Sequence, residues 1–187
     1  MTTDYAAPAY QRRRQLTPRA GAAPQAPAPQ PAPQASVLET GVPLMTRLAT
    51  ADDRALLAAL QRSAAPAGGA SLFADPSAAG ELLAAGQVIV AERGADALGF
   101  AVIRPRGGDD CELLALVVEP GPWCLPVARL LVEHGADAAR RRGALTLHAT
   151  VGEDGQRLHQ DCGFEWVETH STRDGPAHLL RRPLACG

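Results

Sequence analysis

The stretch Cys111–Gly143, CELLALVVEPGPWCLPVARLLVEHGADAARRRG, reads as one strand, one tight loop and one long helix. Leu113–Val118 is too short and too rich in branched apolar residues for a surface helix. It has the character of a central strand buried on both faces of an α/β sheet. Glu119, Pro120, Gly121 and Pro122 break it, and Pro126 fits the first helical position, where a missing NH costs nothing. Val127, Leu130, Leu131, His134 and Ala138 then share one stripe, and Arg129, Glu133, Asp137 and Arg141 another. Asp137 with Arg141 is a supporting pair, Arg140–Arg142 sit at the negative end of the helix dipole, and Gly143 is a natural stop.

A loop from a buried strand into a helix presents free NH groups and partial positive charge at the strand's carboxyl end, which suits an anion. Every short connection of this kind has that property, so the neighbouring sequence must identify the ligand.

Here the chain resembles the GCN5-related N-acetyltransferase (GNAT) family, whose central strand ends in V-x-P and continues into R/Q-x-x-G-x-G/A at the start of a long helix. Val118, Glu119 and Pro120 supply the first part and Trp123–Ala128 the second. Trp123 stands in the Arg or Gln place, Pro126 in that of the first Gly, and Ala128 conforms. GEDGQRLHQDCGFEWV resembles the family's N-x-x-A-x-x-x-Y-x-x-x-G-F block, with Gly152 in the Asn place, His159 in the Tyr place and Gly163 and Phe164 closing it. GPAHLLRRPL resembles the last strand, so the resemblance spans roughly Met45–Leu184.

The resemblance implies a GNAT-like α/β fold, a mixed central sheet flanked by helices, whose middle strands splay to admit an acyl-coenzyme A thioester. Backbone NH groups at Leu116, Val117 and Val118 would polarise the thioester carbonyl. The pyrophosphate would lie on the loop Trp123, Cys124, Leu125, Pro126, Val127, Ala128 and Arg129. Its donors there are the NH groups of Cys124, Leu125, Val127, Ala128 and Arg129, with the guanidinium of Arg129 in reach. Pro126 removes one donor, and a hydrogen bond lost to a charged group costs about 1.5–3 kcal/mol. Trp123 and Pro126 equally suit packing and helix initiation.

His159 would return a proton to the departing thiolate, since an imidazolium is an adequate acid. Glu112 stands where some members carry a carboxylate base. The alternatives are a helix histidine and a solvated strand-end charge. His148 and His134 are weaker candidates, and His134 reads as packed against the sheet.

Composition narrows the functions. Apolar residues make up 46% and aromatic residues 4%, which leaves little stacking surface for bases. Arg12, Arg13, Arg14 and Arg19 against Asp4 and Glu39 give the first 43 residues +2, so the rest carries −4 of the net −2. That sign does not steer toward nucleic acid or acidic membranes and tolerates an amine. Cys111, Cys124, Cys162 and Cys186 form no metal-ligand spacing, so neither zinc nor any other metal is expected. With no apolar run of signal or membrane-spanning length, a cytoplasmic protein without disulfides is the expectation.

Residues 1–43, dominated by Ala, Pro and Gln, cannot bury enough to fold and are expected to be a disordered tail. The tail reads as a solvated tether, or as a ligand for a protein partner gripping through Tyr5, Tyr10 and Arg12–Arg14. A domain over residues 44–187 follows. Leu44–Ala49 is the first strand, and Thr50 with Asp53 opens a helix through about Arg62. After the loop SAAPAGGAS, Asp75 and Pro76 open a second helix that Gly86 stops. Gln87–Glu92 and Leu98–Arg104 form a hairpin, and PRGGDD turns into the central strand. Beyond the long helix come a strand over Leu145–Ala149, a helix over Asp154–Cys162, and strands over Trp166–Ser171 and Ala177–Arg182.

The function expected is an N-acetyltransferase that moves an acyl group from coenzyme A to a primary amine of a small molecule or peptide. The alternative is a catalytically silent GNAT-like binding or regulatory protein. A homodimer through edge strands is the family's habit.

Overall fold

The computed structural model describes residues 42–64, 72–173 and 175–184. The elements are β1 (Leu44–Leu48), α1 (Arg54–Ala64), α2 (Pro76–Ala84), β2 (Val88–Arg93), β3 (Asp96–Gly107), β4 (Asp110–Val118), α3 (Cys124–Arg141), β5 (Thr146–Val151), α4 (Glu153–Asp161), β6 (Glu165–Thr172) and β7 (Gly175–Pro183). A 3-10 turn, Ala51–Asp53, leads into α1. The tail through Gly41, most of the SAAPAGGAS loop and Cys186 lie outside the described residues.

Local chemistry explains the starts and stops. The Asp53 carboxylate accepts from the Thr50 NH at 2.7 Å and from both terminal guanidinium nitrogens of Arg47, at 2.7 and 2.8 Å, tying the start of α1 to β1. Asp75 caps α2 by accepting from the Ser77 NH at 3.0 Å, and Pro76 follows it as the first helical residue.

The strands form one sheet in the order β1-β2-β3-β4-β5-β7-β6. Among the described residues only the β4–β5 pair is parallel, because α3 carries the chain back across the sheet between them. This is the expected mixed sheet flanked by helices. On one face α1 and α2 bury Leu57, Leu60, Ala79 and Leu83 against Val88, Val90, Phe100 and Val102, with Phe73 edge-on to Phe100 at 5.3 Å. On the other, α3 packs Val127, Leu131 and Val132 onto Ile89, Ile103 and Leu113, while Cys162 and Phe164 join that core after α4.

Three expectations change. The central strand begins at Asp110, not Leu113, and its second half is only half-buried, because a neighbour is missing there. α3 begins at Cys124, so Pro126 is its third residue; the Cys124 NH closes a turn onto the Gly121 carbonyl at 3.1 Å and starts the helix early. Its buried stripe is Val127, Ala128, Leu131, Val132, Gly135, Ala136 and Ala139, with Leu130 and Ala138 on the flanks. Small residues let the helix come close: a Cβ on Gly135 would stand 2.8 Å from Ile103 Cδ1.

Candidate functional site

The site begins where β4 leaves β5. Their pairing runs from Asp110↔Thr146 to Leu113↔Ala149 and stops, although β4 continues to Val118 and β5 to Val151. Leu114 is the extra residue of a bulge against β3: Val102 opposes Ala115 and Ile103 opposes Leu113. A bulge bends its strand, and here it falls where the two strands part. The splay implied by the resemblance is therefore a feature of this sheet.

Alternation fixes which amides face the gap. The Glu119 NH bonds to the Leu98 carbonyl at 2.9 Å, so Leu98 and Glu119 are a hydrogen-bonded pair, as are Phe100 and Val117 two residues on. Leu116 and Val118 lie between these pairs, and their NH and carbonyl groups turn toward the gap. Val117 turns its own toward β3. Gly99 permits this geometry, because a Cβ there would stand 2.5 Å from the Val117 carbonyl oxygen.

At the start of α3 the donor set is smaller than the sequence suggests. The Cys124 NH is bonded to Gly121 and the Val127 NH to the Trp123 carbonyl at 2.9 Å. Ala128 and Arg129 belong to the i→i−4 ladder of a helix starting at Cys124. Among the described residues this leaves the Leu125 NH, beside Pro126, and the Trp123 NH without a backbone acceptor. The Trp123 ring lies 4.4 Å beneath the Arg93 guanidinium at the end of β2, on the side of β4 away from β5. The indole therefore lies away from the gap. Arg129 donates its Nε to the Asp161 carbonyl at 3.1 Å, bridging α3 to the end of α4, and its terminal nitrogens have no partner among the described residues.

His159 is buried in α4, its Nδ1 2.8 Å from the Gly155 carbonyl and its ring edge-on to Phe164 at 5.6 Å. Burial pushes the imidazole below its ordinary pKa, outweighing the Gly155 bond. The carbonyl is an acceptor, so Nδ1 carries the proton and Nε2 the lone pair. Glu112 lies on the opposite face of the sheet, bound through Oε2 to Arg104 at 2.8 Å and opposite His148 across β4 and β5. The structure therefore does not bring His159 and Glu112 together; the sheet lies between them. His134 reaches β1, with Nδ1 2.8 Å from Thr46 Oγ1.

The thiols offer no ready nucleophile in the core. Burial pushes Cys162 up to about 11 and Cys111 upward as well. Among the described residues no cluster of His, Cys, Asp and Glu could hold a metal, and no helix is long and apolar enough to cross a membrane.

Solved structures share this architecture. Ard1 from Thermoplasma volcanium superposes with a TM-score of 0.66 at 14% identity, over 76% of this chain and 99% of that one. An aminoglycoside 6'-acetyltransferase type Ii gives 0.63 at 18% identity, over 76% and 99%. The PaiA N-acetyltransferase from Thermoplasma acidophilum, solved in complex with coenzyme A, gives 0.62 at 15% identity, over 75% and 99%. At these identities the likeness is one of fold. The comparison with curated proteins gives no match. The profile described as "Acetyltransferase (GNAT) family" matches residues 57–164, which hold the bulge, the gap and the opening of α3. That match covers more than half of the sequence, and the chain belongs to the GNAT acetyltransferase family.

Proposed function

We propose that the protein is an acyl-coenzyme A-dependent N-acyltransferase moving an acetyl group to a primary amine. The observation that carries this reading is the end of β4–β5 pairing at Leu113, with the Leu116 and Val118 amides turned into the gap. An unpaired strand edge inside a sheet recruits an extended chain carrying amides of its own, and the pantetheine arm of coenzyme A is such a chain. Bound there, the coenzyme supplies an acyl group activated as a thioester.

The chain's own groups then divide the work. Leu116 and Val118 donate to amide or thioester oxygens, where preorganised NH groups count most. Leu125 NH and the Arg129 guanidinium serve the phosphates at the mouth. Glu112 waits on the face away from α3, where an amine would approach. His159, neutral and with its lone pair on Nε2, accepts a hydrogen bond; proton donation to sulfur would require the imidazolium that burial disfavours.

The opening of α3 favours a second reading, a silent scaffold, because so few NH groups remain there. Calorimetric titration of the full chain with acetyl-coenzyme A separates the two. Micromolar binding, with thiol release on addition of a primary amine, supports the enzyme. Absence of heat and of any thermal shift at millimolar ligand sinks it and leaves the scaffold.

A further inference from the structure

On the face of the sheet away from α3 and α4, directly opposed positions on successive strands carry Arg104 (β3), Glu112 (β4), His148 (β5), Arg181 (β7) and Glu165 (β6). α1 and α2 cover the β2–β4 part of this face, while Thr150 and Arg181 on β5 and β7 stay exposed. A groove of about 600 Å³ runs beneath α2 past Gln87 and Arg104 to Leu114, the bulge residue where the gap opens. Of the charged row, Arg104 lines this groove, and Glu112 is bound to it from the next strand.

Two acceptor atoms in this row lack hydrogen-bond partners among the described residues. Arg104 places both Nε and NH2 on Oε2 of Glu112, which leaves Oε1 without a partner among the described residues. His148 has Nε2 3.3 Å from Asp110 Oδ1. A carboxylate only accepts, so Nε2 holds the proton and Nδ1 the lone pair. That Nδ1 is buried with no hydrogen-bond partner among the described residues. The side chain is 18% exposed, and an ammonium reaches that nitrogen only if the ring turns about its soft terminal torsion and gives up the Asp110 contact. Neighbouring strands lie about 4.8 Å apart, so Glu112 and His148 can converge on one group that has only hydrogens to give. An ammonium is that group.

One strand further, Arg181 offers the opposite chemistry. Its Nε meets Glu165 only at 3.7 Å, and both side chains are more than half exposed, so the guanidinium is free to turn to a ligand carboxylate. An ammonium site and a carboxylate site one strand apart describe a compact zwitterion. A polyamine would bring a second cation against Arg181, and a peptide amino terminus brings a carboxylate within that span only where its first side chain is acidic.

We propose that the acceptor is a free amino acid, its ammonium held by Glu112 Oε1 and His148 Nδ1 and its carboxylate by Arg181. This rests on the N-acyltransferase reading and narrows it. His148 takes one ammonium proton on Nδ1. The freed nitrogen lone pair forms the C–N bond to the thioester carbonyl as the C–S bond breaks. A second proton leaves the nitrogen for the departing sulfur, and His148 returns the first to water.

The test is calorimetric titration of the full chain, with and without coenzyme A, using each proteinogenic amino acid and then the methyl ester of the tightest binder. The proposal expects at least one amino acid to bind and its ester to bind about tenfold weaker or worse. Arg181→Ala, at an exposed position, should bring the acid down to the ester's affinity and leave coenzyme binding unchanged. No binding by any amino acid, equal binding of acid and ester, or indifference to Arg181→Ala each overturns it. Amino-acid binding in a chain that ignores coenzyme A would keep the zwitterion site and remove the transferase reading. Coenzyme binding with acetylation of esters as readily as acids would do the reverse.

Discussion

His159 reads in the sequence as a proton donor and in the structure as a base held neutral, and the difference is burial. Its spacing from Gly163 and Phe164 is legible in the chain; the contacts of its ring with Phe164 and the Gly155 carbonyl are tertiary and are not. The sign of its effect on stability follows. The unfolded chain takes up a proton as pH falls through 6.5, while the folded imidazole resists until lower pH, so stability drops over that interval. In urea titrations His159→Phe should show a shallower loss of stability below about pH 6.5 than the wild type. Parallel curves would mean that His159 is not held neutral. The same variant should keep kcat within about threefold, whereas loss of a working general acid costs about a hundredfold or more. Asp53 behaves in the opposite sense at lower pH. Hydrogen bonds from Arg47 hold its carboxyl well below the usual 3.8, against the cost of burial. Its contribution is therefore complete above 3.8 and fades as pH falls below that value toward the folded pKa. Asp53→Asn should cost about 1–2 kcal/mol at neutral pH, discounted because Arg47 is partly in water, and the gap to wild type should narrow on acidification.

At the scale of elements, α3 shows what periodicity can and cannot say. Its existence, its Gly143 stop and the strand before it were legible because branched residues, a proline-rich break and a long amphipathic run agree. The buried stripe was not, because Ala128, Gly135, Ala136 and Ala139 look neutral by hydrophobicity yet permit the close approach to β3. Nor was the helix start: the Gly121–Cys124 turn draws it ahead of Pro126 and consumes amides that a later start would leave free. Restoring an NH with Pro126→Ala adds a donor at the third helical position, next to the Leu125 NH. Acetyl-coenzyme A should then bind up to about tenfold tighter by calorimetry. Weaker binding would show that the proline's fixed φ, rather than its missing donor, governs this end of the helix. Gly99 tests the other side of the gap. An alanine there drives its Cβ into the Val117 carbonyl and must push β3 and β4 apart. Gly99→Ala should destabilise the fold by about 1–3 kcal/mol in urea and weaken coenzyme binding as well. A variant as stable as wild type would mean that the strands relax freely at this point.

At the scale of the molecule, the sheet is two parts joined by a short seam. β1 to β4 make one, β5, β7 and β6 the other, and among the described residues the two parts pair strand to strand through the four residue pairs from Asp110↔Thr146 to Leu113↔Ala149. Register across such a parallel seam depends on how α3 returns the chain. For that reason the alignment of Arg104, Glu112, His148 and Arg181 could not be read from the sequence, although the alternation within each strand was plain. Past the seam, Leu116 and Val118 present amides with no strand partner among the described residues, while Val117 between them is bonded to β3. Amide hydrogen exchange should report this residue by residue. In the free protein the Leu116 and Val118 amides exchange faster than that of Val117, despite sharing one strand. A ligand lying along the seam gives both amides an acceptor and ties the two parts together. Saturation with coenzyme A should therefore slow Leu116 and Val118 by about tenfold or more while changing Val117 far less. Uniform slowing of all three would point to global stabilisation by binding elsewhere. No change at Leu116 and Val118 in a chain that demonstrably binds the coenzyme would place it outside the gap, and the assignment of these amides would fall.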